Sequence, residues 1–144
     1  MSVFTHKERV RIEAQIRSYY RNKSDIAEWR EAALAGKKRD VRARKQMRHF
    51  ADPTAEAAIK LSSPPKRIRE KEIWVKVVES LRRQYAGKDK GALLEMWYWS
   101  SPRKTRQEVA EALYLTERQI YNLLSEIVVH AALVAAQRGV DVFK

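Results

Sequence analysis

The chain has 144 residues, the size of a single domain or of one small domain with a helical extension. It contains no cysteine, which excludes a disulfide scaffold, a thiolate zinc site and a cysteine nucleophile. Its 30 lysine and arginine residues outnumber 18 acidic ones, and a net charge of +12 is typical of proteins that bind polyanions, above all nucleic acid. Residues 1–50 are the most basic part of the chain, with 14 basic and six acidic side chains.

The few glycines and prolines separate segments with apolar residues three or four positions apart, which predicts an all-α fold. An N-terminal helical hairpin is expected over residues 1–36. Thr5 and the glutamate three positions later have the spacing of a capping box, which starts the first helix. We expect Asn22 and Lys23 to interrupt that helix and Gly36 to end the second one.

Residues 37–65 are predicted to be a basic connection with a short helix from Pro53 to Leu61. Within it, residues 37–48 are dense in positive charge and poor in apolar side chains. We therefore expect a flexible arm that contacts nucleic-acid phosphates, with a solvated loop as the alternative. The basic residues of this arm are Lys37, Lys38, Arg39, Arg42, Arg44, Lys45 and Arg48.

Residues 66–144 are predicted to form a helix-turn-helix domain with a long C-terminal helix. Thr105 and Thr116 begin two capping boxes, and the apolar spacing after each predicts short helices that pack on one another. Tyr114 takes the turn position usually filled by glycine, so it either adopts a positive φ or lies in a longer turn. A plain helical hairpin in a bundle is the alternative.

The second helix of a helix-turn-helix enters the major groove, and side chains that point away from its apolar stripe face the bases. The predicted base-reading residues are Glu117, Arg118, Tyr121, Asn122 and Ser125. Arginine pairs with guanine, asparagine with adenine and glutamate with cytosine, so the residue types suit this role. The predicted phosphate contacts of the first helix are Arg103, Lys104 and Arg106.

The last predicted helix is apolar on more than one face. One stripe is expected to close the core and consists of Ile120, Leu123, Ile127 and Val134. A second is expected to meet another helix, in this chain or across a homodimer interface, and consists of Val129, Ala132, Leu133 and Ala136. No run approaches the roughly 18 apolar residues of a membrane span, and no export signal is recognisable, so we expect a cytoplasmic protein that does not contact a membrane.

Catalysis is not predicted. His6, His49 and His130 lie far apart without a partner pattern, and the glycines form neither a phosphate-binding loop nor a dinucleotide motif. We therefore expect a protein that is not an enzyme and has no metal or cofactor.

A family resemblance rests on residues 93–127, which read LLEMWYWSSPRKTRQEVAEALYLTERQIYNLLSEI. This segment resembles the region-4-like helix-turn-helix of the RinA/ArpU family of phage transcriptional regulators. Residues 12–34 look like that family's N-terminal helical pair, and residues 52–61 are similar to its short central helix. The resemblance implies an activator of late packaging and structural genes in a bacterial host cell. Its implied partners are double-stranded DNA and host RNA polymerase.

Two alternatives stay open at this point. The first is a small terminase-like DNA-packaging subunit, which also joins a helix-turn-helix to an oligomerising helix. The second is a basic interaction module without DNA specificity, in which the basic arm meets RNA or an acidic protein.

Overall fold

The computed structural model describes residues 4–47 and 63–140, and for residues 36–47 it describes the backbone alone. The described residues form six helices and no strands, which confirms the predicted all-α class. The helices are α1 (His6–Arg17), α2 (Tyr19–Met47), α3 (Lys66–Gln84), α4 (Asp89–Tyr98), α5 (Arg106–Leu113) and α6 (Glu117–Gln137). The chain divides into two compact units, Met1–Tyr19 with Ile73–Lys144 and Tyr20–Glu72.

The first break between helices falls at Ser18. The capping box at Thr5 is confirmed, because its hydroxyl accepts the N–H of Glu8 at 3.2 Å and the Glu8 carboxylate accepts the N–H of Thr5 at 3.3 Å. Ser18 has φ −80° and ψ 8°, and α2 begins at the next residue. The predicted interruption at Asn22 and Lys23 is therefore wrong. Asn22 is buried and interacts with another part of the protein, and α2 continues through it.

Helix α2 continues through Gly36 to Met47, so the predicted helix end at Gly36 is also wrong. A glycine inside a helix costs about 1 kcal/mol relative to alanine, and the alanine, lysine and arginine residues around it are good helix formers that carry the helix across. The arm expected to be flexible is helical along the backbone of residues 37–47. The predicted short helix over residues 53–61 lies outside the described residues.

The second unit contains most of α2 and the first turns of α3. Lys71 Nζ donates to the Asp25 carboxylate at 2.5 Å, and this hydrogen bond lowers the pKa of Asp25 below its usual value. Ile26, Ala33 and Ile68 of this unit are buried. The ion pair between Asp25 and Lys71 joins α2 to the start of α3.

Helix α6 supplies much of the core of the first unit. Its buried side chains are Ile120, Leu124, Ile127, Val128, Ala131, Ala132, Val134 and Ala135. The predicted core stripe is confirmed at three of its four positions, with Leu124 rather than Leu123 fully buried. Ala132, predicted to meet another helix, lies in the core, whereas Leu133 is 59% exposed.

Among the described residues, α6 alone is long and apolar enough to cross a membrane by length and composition. The most apolar 18-residue stretch of α6 has a mean hydropathy of 1.4. Polar residues interrupt this stretch, so a search for uninterrupted apolar runs does not find it. Core helices of water-soluble proteins pass the same test, and 44% of this window is buried inside the fold. This property is weak evidence for membrane contact.

An aromatic cluster holds the end of α4 against the end of α1. Trp99 Nε1 donates to the carbonyl oxygen of Ile16 at 2.9 Å, and the ring of Tyr19 lies 5.5 Å from the ring of Trp99. The guanidinium of Arg82 lies over both rings, at 5.7 and 5.6 Å. Leu94 and Tyr98 of α4 are buried as well.

The turn between α5 and α6 contains a tyrosine in the left-handed region. Tyr114 has φ 57° and ψ 39°, so of the two predicted conformations the positive φ is the one formed. The N–H of Leu115 donates to the carbonyl of Ala110 at 2.9 Å, and the N–H of Tyr114 to that of Glu111 at 3.4 Å. These two bonds form a Schellman motif. The Tyr114 side chain is 95% exposed, so packing does not offset the backbone strain.

Tyr85 and His130 share a hydrogen bond between the phenol oxygen and Nδ1, at 2.5 Å. Burial, with a smaller effect from the charge of Glu126, raises the pKa of Tyr85 to about 12, so the phenol keeps its proton. Burial, followed by the charge of Lys90, lowers the pKa of His130. Burial and the charge of Lys90 therefore favour the uncharged histidine.

We expect Tyr114→Gly to raise the free energy of unfolding by about 1 kcal/mol, because glycine adopts a positive φ without a Cβ clash. Tyr114→Ala is the matched control, since it removes the ring and keeps the clash. Urea denaturation of the three proteins measures the difference. A glycine variant no more stable than the alanine variant would contradict the strained turn.

We expect protonation of His130 to destabilise the fold. Its folded pKa lies below the unfolded value of about 6.5, so the unfolded state binds more protons and stability falls as the pH drops below that value. The stability advantage of the parent over His130→Gln should therefore shrink from pH 8 to about pH 5.5. Denaturant titrations across this range measure it, and an advantage that stays constant or grows on acidification rules the effect out.

Candidate nucleic-acid interface

Both capping boxes predicted around α5 and α6 are formed. The Thr105 hydroxyl accepts the N–H of Glu108 at 3.2 Å, and the Thr116 hydroxyl accepts that of Gln119 at 3.1 Å. The return bonds are 3.3 Å from Thr105 N to the Glu108 carboxylate and 2.8 Å from Thr116 N to the Gln119 amide oxygen. Because each cap fixes where its helix begins, it also fixes which side chains share a face.

Exposed side chains at the start of α6 surround one cleft. Arg118, Tyr121 and Asn122 are three and four positions apart, so they lie on one face of the helix. Together with Glu117 and with Arg106 of α5, they line a cleft of about 420 Å³. Five of the predicted DNA-binding residues therefore lie together.

The polar groups of this cleft are open to a ligand. Across the described parts of the chain, Glu117, Arg118 and Asn122 make no hydrogen bond or ion pair with the protein, and all three are exposed. Arg103 and Lys104, which precede α5, are exposed as well, but they do not line the cleft. Guanidinium donors, an amide and a carboxylate can thus all contact a bound molecule.

Ser125, the fifth residue predicted on α6, is used inside the protein. Its hydroxyl donates to the carbonyl of Tyr121 at 3.0 Å and accepts from Arg9 Nη1 at 3.0 Å. The side chain is half-buried and does not line the cleft. Its position therefore suits a support for the helix better than a base contact.

Arg9 of α1, which no pattern in the sequence singles out, contacts two residues of α6 beside the cleft. Its Nε donates to Glu13 at 2.8 Å, its Nη1 bonds Ser125, and its guanidinium lies 5.1 Å from the centre of the Tyr121 ring. Burial works to lower the pKa of Arg9, but the hydrogen bond and the charge of Glu13 outweigh it, and the pKa lies above its ordinary value. A fixed cation thus holds Tyr121 from the side of α1.

The structure describes the predicted basic arm only in part. The backbone of residues 37–47 belongs to α2, whereas the side chains of its basic residues, and Arg48 entirely, lie outside the described residues. Their predicted phosphate contacts stay a prediction.

The side chains of the cleft supply hydrogen-bond donors and acceptors and one aromatic face. Among the residues whose side chains the structure describes, 4–35 and 63–140, no group of three or more His, Asp or Glu is placed to hold a metal ion.

No protein-family model, curated protein or solved structure matches this chain. The resemblance of residues 93–127 to the RinA/ArpU family therefore stays a prediction from the sequence.

We expect Arg9→Met to lower the free energy of unfolding by about 1–3 kcal/mol, because it leaves Glu13 and Ser125 without a charged donor. Lys7→Met removes the same charge from an exposed position of α1 and should change stability by no more than about 0.5 kcal/mol. Thermal and urea unfolding compare the two. Equal stability of both variants would show that Arg9 does not fasten α1 to α6.

Proposed function

We propose that this protein binds duplex DNA in a sequence-specific manner through α5 and α6 and regulates transcription. The observation that carries the proposal is the cleft lined by Arg106, Glu117, Arg118, Tyr121 and Asn122. It lies at the start of a capped helix that follows another short helix after a tight turn, an order typical of helix-turn-helix proteins.

Each side chain of the cleft suits a partner in the major groove. Arg118 can donate two hydrogen bonds to O6 and N7 of guanine, and Asn122 can pair with N6 and N7 of adenine. Glu117 can accept from N4 of cytosine. The Tyr121 ring is 47% exposed, enough to contact a thymine methyl group, and its hydroxyl can reach a phosphate.

The charge of the chain supports a strong contribution from phosphates. The cleft holds two arginines and one glutamate, so its own net charge is small compared with the +12 of the whole chain. We infer that Arg103 and Lys104, together with the basic arm, neutralise phosphates around the site. Affinity for DNA should then fall steeply as the salt concentration rises, because releasing counterions from DNA into a more concentrated salt solution gains less free energy.

The biological setting of the proposal comes from the resemblance of residues 93–127. It implies activation of phage late genes and contact with host RNA polymerase. A homodimer through α6 belongs to the same proposal, and Leu133 and Ala136 are exposed apolar residues of that helix that a second copy would cover.

Selection from a library of random DNA duplexes, at about 50 mM and about 200 mM salt, tests specific readout. We expect one sequence motif to be enriched at both concentrations. Retention of all duplexes alike that disappears at the higher salt would mean phosphate binding alone, and the proposed reading of bases would fail.

Arg118→Ala should weaken binding to the selected duplex by about 1–3 kcal/mol and relax the preference at one base pair. Arg138→Ala is the matched control, because Arg138 is exposed and follows the last turn of α6, about 30 Å from Arg118 at 1.5 Å per residue. Fluorescence anisotropy with single-base variants of the duplex measures both effects. Unchanged affinity and preference in Arg118→Ala would exclude the assigned contact.

A further inference from the structure

A second cavity, of about 330 Å³, opens beside the cleft. Its walls come from α1, α4, α5 and α6, all within the first unit. Arg106 and Tyr121 line both spaces, so the cavity adjoins the surface proposed to read DNA. The lining residues that matter for its chemistry are His6, Arg9, Arg17, Trp97, Arg106 and Tyr121.

The cavity carries surplus positive charge. Glu13 is the one carboxylate in its lining, and it is already paired with Arg9 at 2.8 Å. Arg17 lies 5.6 Å over the ring of Tyr98, a contact that holds the side chain without compensating its charge. In the part of the chain that the structure describes, neither Arg17 nor Arg106 has an acidic partner.

Two hydrogen-bond donors of the lining residues lack an acceptor. Arg17 Nε and Trp97 Nε1 are shielded from water, and neither makes a hydrogen bond with the described residues. A buried donor without an acceptor costs free energy, so such groups point to a missing partner. A side-chain rotation that brings either N–H to an oxygen in the cavity would recover that cost.

A phosphate group fits these features. It carries negative charge and several acceptor oxygens, and the planar guanidinium binds phosphate through two parallel hydrogen bonds. Phosphates of the DNA backbone follow the edges of the groove in which a recognition helix lies, so one of them can reach a cavity next to that helix.

We propose that this cavity receives a backbone phosphate of the bound DNA and so extends the DNA interface from α6 onto α1. The proposal rests on the proposed function, because it requires a duplex bound at the cleft. Arg17 is the central contact, Arg106 joins the two spaces, and Trp97 Nε1 reports occupancy.

The test uses the full chain labelled with ¹⁵N and the indole N–H signal of Trp97, assigned by its loss in Trp97→Phe. The selected duplex should move this signal downfield as the N–H gains an acceptor. Inorganic phosphate, added alone, tests whether a free anion does the same. Trp29, Trp74 and Trp99 line neither space and serve as internal references.

A second measurement compares salt dependence. Arg17→Gln should reduce the slope of log affinity against log salt by about one, the value for one phosphate contact. Arg138→Gln removes the same charge from the far end of α6 and should leave the slope unchanged. Because the Trp97 signal is read in the unaltered protein, the test stands even if Arg17→Gln does not fold.

The outcomes separate the two proposals. A Trp97 signal that moves with duplex DNA, together with the reduced slope, supports the phosphate site. Duplex binding that leaves the Trp97 signal and the slope unchanged overturns it and spares the proposed function. A signal that moves with inorganic phosphate but not with duplex also overturns it, since the cavity then takes a free anion. Failure of the unaltered protein to bind any duplex overturns the proposed function itself.

Discussion

Arg9 is the contact on which the geometry of the candidate interface depends. Its guanidinium meets Glu13 on its own helix and Ser125 and Tyr121 on α6. Because a guanidinium is planar and rigid, making all three contacts at once restricts the position of α1 relative to α6. The first helix of the chain thereby orients a residue of the cleft even though Arg9 and Ser125 are 116 positions apart in sequence.

Short-range rules account for the part of the site that the sequence predicts well. A capping box depends on two residues three positions apart, so Thr105 and Thr116 could be recognised from the sequence and both are formed. Once the start of α6 is known, its period of 3.6 residues determines which side chains share a face. The exposed group of Arg118, Tyr121 and Asn122 follows from these two facts.

The rest of the fold depends on contacts that no local pattern contains. Gly36 resembles a helix end, yet the helix-forming residues around it decide the outcome. Leu123 and Leu124 are both apolar and adjacent, and the position of α1 and α4 against α6 selects which one is buried. The role of Arg9 is visible only after α1 and α6 are side by side. The spacing of Arg9 and Glu13 in the sequence predicts an ion pair along α1. Nothing in the sequence indicates that Arg9 also contacts α6.

The residues of the cleft differ in how much they contribute to the stability of the fold. Tyr121 lies under Arg9, and a change there also disturbs the contact between helices. Glu117, Arg118 and Asn122 are exposed and, over the described residues, bond to no other protein group, so replacing them costs little stability. The surface chemistry of the cleft can therefore change at those three positions without any compensating change in the core.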